Sequence, residues 1–189
     1  MNNVTPDGEM RWDELVRVPP PGNMDSYLLN SGDVLFNNTN SVELVGKTAL
    51  FCGYSEPVVF SNHFTRLQAR RDVILPEFLA FWLRLRWNEG LFAEGCNRWV
   101  GQAAFNRNKL MSVQIPLPSL LEQRRIVAVL DEQLAEVDRA RAAVEARLRA
   151  VRALPEAFLR EVFDGPEAKK WPAKTLGEVS TINPRRPKI

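Results

Sequence analysis

Short apolar runs separated by turn residues fill the first part of this 189-residue chain, and a seven-residue repeat takes over after Pro118. The runs are Val16-Arg17-Val18 ahead of Pro19-Pro20-Pro21-Gly22, Val34-Leu35-Phe36, Gly46 to Phe51, Val58-Val59-Phe60 and Phe64 to Ala69. Apolar stretches this short, bounded by Gly, Pro and Asn, predict strands. Residues 1–22 are turn-rich, and Pro6-Asp7-Gly8 followed by Val16 to Val18 suggests a strand or hairpin leaving a core, while Asn30-Ser31-Gly32-Asp33 supplies a tight turn before Val34. Beyond the switch, Val127, Leu130, Leu134, Val137, Val144, Leu148 and Val151 recur at alternating steps of three and four, with Arg141 the one polar residue in the row. That spacing is the seam of a helix packed along another helix.

The start of the long helix is sharply specified. Pro116 and Pro118 precede Ser119, whose hydroxyl can accept from the first turn while Glu122, three residues on, reaches back, so Ser119 to Glu122 predicts a capping box. A helix from Ser119 to Arg152 would be about 50 Å long at 1.5 Å per residue. Pro155 is expected to kink it or to begin a second helix over Glu156 to Phe163, because an interior proline removes a hydrogen bond and crowds the preceding turn. Pro76, at a first helical position, opens an earlier helix through Trp87, with Phe78, Trp82 and Leu85 expected on one face. A helical or irregular piece over Glu89 to Trp99 follows, then a polar stretch from Gly101-Gln102, and Leu110 to Leu117 is expected to return to the core as a strand. The class is α+β, a strand-rich globular domain over 1–118 followed by a coiled-coil-type helical spacer over 119–163. A basic linker occupies 164–174, and 175–189 begins a new strand-like unit.

Composition narrows the function classes. Lys and Arg number 25 against 23 Asp and Glu, a net charge of +2, so a nucleic-acid role has to rest on local patches rather than on overall charge. One such excess lies after the helix, where Lys169, Lys170, Lys174, Arg185, Arg186 and Lys188 face only Asp164, Glu167 and Glu178. Cys52 and Cys96, with no secretory segment, are expected to be buried thiols rather than a disulfide. No apolar run approaches the roughly 20 residues of a membrane span, and a cytoplasmic location is expected. Catalysis has no motif: there is no Gly-x-Gly phosphate cradle, Asn183-Pro184-Arg185-Arg186 lacks the Asn-Pro-Pro-aromatic signature of amino methyltransferases, and one histidine, His63, cannot build a multi-histidine metal site. Neither a catalytic residue, nor a metal, nor a cofactor is expected.

Reading DNA sequence requires hydrogen-bonding side chains at groove edges and cations on phosphates. Asn37, Asn38, Thr39, Asn40 and Ser41, with Lys47, supply both on one candidate loop, although Asn-rich loops also make good turns. Arg98, Gln102, Asn106 and Arg107 form a second candidate segment. Arg66, Arg70 and Arg71 could hold phosphate or keep a strand end soluble.

Three stretches together resemble the DNA-specificity subunit of type I restriction-modification systems. Tyr27 to Phe36 with Gly46-Lys47 is similar to the family's strand signature and the polar loop after it. Gly101-Gln102 through Phe105-Asn106, Leu110 and Ile115 to Pro118, then Glu122-Gln123 and Ile126-Val127, resembles the end of a target recognition domain entering its spacer helix. Leu176 to Pro187 looks like the opening of such a domain. The resemblance implies a non-catalytic subunit, half-subunit or fragment with one target recognition domain, in which 175–189 is either that domain's opening strand in circularly shifted order or the start of a second domain, with double-stranded DNA as ligand and pairing with a second copy or half-subunit through the helix seam. It also implies methylation and restriction subunits as partners, which use S-adenosylmethionine and ATP. An assembly module in which the coiled coil and the globular part bind only protein is the alternative.

Overall fold

The computed structural model describes residues 3–13 and 15–181. The chain divides into two compact units, Met1–Glu132 and Gln133–Ile189. In the first, an antiparallel bridge between Val4 and Met10 closes the N-terminal hairpin. Helix α1 (Met24–Tyr27) leads through the Asn30 turn to strand β1 (Asp33–Asn37), followed by β2 (Thr39–Asn40), β3 (Thr48–Leu50) and β4 (Phe64–Gln68). Helices α2 (Pro76–Asn88) and α3 (Leu91–Gly95), strands β5 (Asn97–Trp99) and β6 (Gln102–Ala104), and helix α4 (Arg107–Met111) complete the globular part.

β1 is the pivot of the fold. It pairs antiparallel with β3 and β4 on its two sides, in the order β3-β1-β4, and all five of its residues are buried. Alternation along a strand sends Val34 and Phe36 to one face and Leu35 to the other. Val34 and Phe36 join Val45, Leu83, Phe92, Phe105 and Leu110 in one core, whereas Leu35 meets Val4, Leu29, Ala49, Phe51 and Phe64 in a second. Phe36, Phe92 and Phe105 pack edge to face, with centroids 4.9 to 6.0 Å apart. Gly46, at φ +92°, is required there: a Cβ would stand 2.5 Å from the Phe92 ring.

The α+β class is observed, with corrections inside it. Leu110 to Leu117 is not a strand: Leu110 is buried from α4, and 113–119 carries no regular structure. Asn106 starts that helix instead, its Oδ1 accepting from the Asn108 and Lys109 amides at 2.8 and 3.4 Å, and Pro116 and Pro118 have no amide to offer a ladder. On α2 the buried side runs through Phe78 and Leu83 with Leu79 and Trp82 partly covered, so Leu85 faces solvent. Thr39 and Asn40 belong to a second sheet of order β2-β6-β5 rather than to a free loop. Cys52 is exposed, against expectation, and Cys96 is half-buried; both are free.

Helix α5 (Leu120–Phe163) is a single 44-residue element, about 66 Å of rise. Ser119 Oγ accepts from the Glu122 amide at 3.3 Å, while the Glu122 carboxylate turns to Arg125. Of the two outcomes expected at Pro155, a second helix is not what forms: the element runs through the proline, with good helix formers on both sides (Ala153, Leu154, Glu156, Ala157). Seam residues Val127, Leu130 and Leu134 are half-buried, whereas Val137, Val144, Leu148 and Val151 stand exposed in the single chain. Phe158 and Val162 continue the same spacing and are exposed too.

In the second unit, Phe163 meets Trp171 edge to face beyond a 3-10 turn (Ala168–Lys170). The strand expected from Thr175 is instead a helical turn, α6 (Leu176–Val179), in which Thr175 and Glu178 form a complete capping box. The Thr175 amide and hydroxyl, both bonded to the Glu178 carboxylate, hold it below the usual carboxylate range. The rest of the expected opening strand, 182–189, lies outside the described residues.

Candidate functional site

The two candidate segments have opposite fates. In the first, Asn37 is fully buried and its Nδ2 donates to the His63 carbonyl at 3.2 Å. Asn40 Nδ2 donates to Asn37 Oδ1 at 2.7 Å, and Asn38 Nδ2 donates to the Asn62 carbonyl and Thr65 Oγ1. The Ser41 hydroxyl bonds Glu43, whose carboxyl is held low first by its own backbone amide and then by that hydroxyl. These amides bolt β1, β2 and the 61–65 turn together, and the expectation that Asn37 faces a ligand is overturned by its burial.

Two cations of the sequence reading are likewise internal. Lys47 is 5% exposed, and its Nζ donates to the Val4 carbonyl at 2.6 Å. Burial pushes its ammonium below the ordinary lysine range, and the Arg11 charge adds to the shift. Arg66 donates to the Leu28 carbonyl, lies 4.0 Å from the buried Asp33 carboxylate and covers the Phe60 ring. Both side chains hold the N-terminal segments against the sheet. Asp33 is a turn residue as read: its Oδ2 accepts from the Asn30 amide at 2.9 Å and its Oδ1 from Gln68 at 3.1 Å.

The second segment is a projecting hairpin. β5 and β6 pair as Asn97↔Ala104, Arg98↔Ala103 and Trp99↔Gln102, joined by Val100 and Gly101. Gly101 takes φ +72°, which closes so short a connection without a Cβ penalty. β2 pairs only with Ala103 and Ala104, so the ribbon beyond them has two strands. Directly opposed residues share a face. Ala103 is fully buried and shares its face with Asn40 and Arg98, whose side chain is nevertheless exposed, and Asn97, Trp99 and Gln102 lie on the opposite, outer face. Residues 97–102 are all exposed, Trp99 by 61% and Val100 completely.

The segment that carries the hairpin is basic, although the Glu43 carboxylate lies close enough to Arg98 to feel its charge. Residues 95–121 contain Arg98, Arg107 and Lys109 and no Asp or Glu. Arg98 Nη2 and Lys109 Nζ donate to the Ala93 and Gly95 carbonyls at 3.0 and 2.8 Å, tying the hairpin and α4 to the end of α3. Arg107 and the cap residue Asn106 are exposed beside them.

Gln123 is the functional-looking residue that sequence reasoning passed over, quoted only as part of Glu122-Gln123. It is fully buried. Its Nε2 donates to the Val73 and Pro118 carbonyls at 3.0 and 2.9 Å, and its Oε1 accepts from the Leu75 amide at 2.9 Å. The first turn of α5 is thereby fixed to the segment that starts α2.

Among the described residues no group of three or more His, Cys, Asp or Glu could hold a metal ion, and no helix is long and apolar enough to cross a membrane. A family model for the type I restriction modification DNA specificity domain matches residues 20–144, from the segment before α1 into the seam of α5. The chain belongs to this family. The specificity domain is 33% identical over 106 residues to a putative type I restriction enzyme MjaX specificity subunit of Methanocaldococcus jannaschii, covering 56% of this chain and 25% of that protein. It superposes at a TM-score of 0.60 and 29% identity on a chain solved in work on complex assembly and conformational transition of the type I R-M system, covering 74% of this chain and 35% of that one. The HsdS subunit from Thermoanaerobacter tengcongensis matches at a TM-score of 0.48 and 28% identity, over 71% and 33% of the two chains. This specificity domain thus spans about a quarter to a third of the relatives it matches.

Proposed function

We propose that this chain is a non-catalytic DNA-recognition subunit, or half-subunit, of a type I restriction-modification complex. The observation that carries the proposal is the extent of the family match, which runs through both sheets and into the heptad seam. Residues 1–118 are the target recognition domain and read double-stranded DNA; 119–163 are the spacer and pairing helix; 164–174 are a linker; 175–189 open a target recognition domain, this chain's or a second one's. Val127, Leu130, Leu134, Val137, Arg141, Val144, Leu148 and Val151 face a second copy or another half-subunit, and the exposure of the later members supports that role. Two recognition domains held apart by paired helices read a bipartite target.

Methylation and restriction subunits complete the complex in the cytoplasm, carry its chemistry and bind its cofactors. Selection from a random double-stranded DNA pool, with molecular mass measured in the same buffer, tests the proposal. A dimer or larger assembly that enriches a two-part sequence is expected, with affinity falling steeply as salt rises. A monomer that enriches no sequence overturns it.

A further inference from the structure

The specificity domain has to present base-reading groups somewhere on its surface, and in the Asn-rich segment that looked suited to it Asn37 is buried while Asn38, Asn40 and Ser41 are half-buried, with the Asn37, Asn38 and Asn40 side-chain amides engaged within the protein. The β5–β6 hairpin has what that segment lacks. Its outer face carries two side-chain amides, Asn97 and Gln102, and one indole, Trp99, with Val100 at the tip; all four are exposed. Beyond Ala103 only the Trp99↔Gln102 pair and the Val100-Gly101 turn remain, a narrow two-stranded tip of the kind the major groove of B-DNA admits, with Asn97 beside it where β2 backs the sheet. The segment 95–121 has three cations and no acid; Arg98 and Lys109 also hold backbone carbonyls, which leaves Arg107 as the cation here with no carbonyl tie, a charge suited to a phosphate.

We propose that Asn97, Trp99 and Gln102, on the outer face of the β5–β6 hairpin, read base edges in the major groove of double-stranded DNA. The inference rests on the DNA-recognition function proposed above and assigns it to one element. Asn and Gln amides each offer a donor and an acceptor matching N6 and N7 of adenine, and apolar groups such as Trp99 and Val100 meet the thymine methyl. A·T pairs are therefore expected at the positions the hairpin contacts. Arg107, exposed just past β6, holds a flanking phosphate and contributes no sequence preference.

The test is pool selection with the full chain and with Asn97→Ala, Gln102→Ala, Gln102→Glu and Trp99→Ala, at one fixed salt concentration. The wild type should enrich adenine at a position where Gln102→Ala loses discrimination by about 5- to 150-fold, the worth of one bidentate contact. Gln102→Glu should move the preference at that position toward cytosine, whose N4 amino group donates to a carboxylate. A switch of preference is a readout that a merely destabilised variant does not give. Arg107→Ala should weaken binding to all sequences alike. If the wild type selects a sequence and every hairpin variant selects the same one undiminished, the hairpin assignment is overturned while DNA recognition stands. Unchanged selection with a loss of molecular mass in Trp99→Ala would also overturn it and make the hairpin a protein contact. A wild type that selects nothing removes the DNA-recognition function itself.

Discussion

Gln123 is a fully buried polar side chain with three hydrogen bonds to backbone groups up to 50 residues away. Removing it strands the Val73 and Pro118 carbonyls and the Leu75 amide, so Gln123→Ala should lower unfolding stability by about 2–3 kcal/mol in a denaturant titration. Gln123→Glu gives a sharper result. At neutral pH its carboxylate would face two carbonyl oxygens, which raises its folded pKa above the unfolded value; the lost stability should return as pH falls and the acid regains a donor. Lys47 gives the opposite slope. Its folded pKa lies below the unfolded one, so the unfolded chain holds more protons between the two and stability should rise with pH across that alkaline window. Lys47→Met should flatten this rise in a pH series of thermal melts; an unchanged slope would mean the lysine titrates normally. Neither role was legible in the sequence. Gln123 sits in an amphipathic helix where a glutamine reads as solvated, and the partner of Lys47 is Val4, 43 residues away. A lone polar side chain carries no mark of burial until the fold brings its partners to it.

At the scale of elements, legibility followed the number of local signals that agreed. Proline, Ser119 and the heptad row all point to one helix, and α5 starts within one residue of the expected position. The same row locates Arg141, which a hydrophobic seam tolerates at a cost in stability. In the helix pairing proposed above, Arg141→Leu should stabilise the pair by up to about 1.5–3 kcal/mol, the worth of burying one leucine less whatever contacts Arg141 makes, seen as a higher and concentration-dependent Tm. A lower Tm would take Arg141 out of the seam. Where local signals conflicted, the sequence misled. Leu110 to Leu117 is the expected strand, but Pro116 and Pro118 have no amide for a ladder. Asn37 to Ser41 has the composition of a loop, and two of its residues become a strand only because β6, over 60 residues later, pairs with them. Non-local pairing of that kind leaves no trace in composition.

For the molecule as a whole, the proposed pairing of α5 helices makes spacing the quantity to measure. Deleting one heptad, residues 144–150, keeps the seam in register and shortens α5 by about 10 Å. The two halves of the selected target should then approach by about 3 base pairs at 3.4 Å each. An unchanged separation would show that the helix does not set it. The anchoring of α5 also bears on how such heads could be exchanged between proteins. Because Gln123 ties the helix start to Val73 and Leu75, the globular part and residues up to Glu132 form one unit. A chimaera joined at Pro118, where the domain boundary looks natural in the sequence, would pair those buried backbone groups with a foreign helix. One joined past Glu132 would transplant the head with its own anchor, and should be the more soluble and more cooperatively folding of the two.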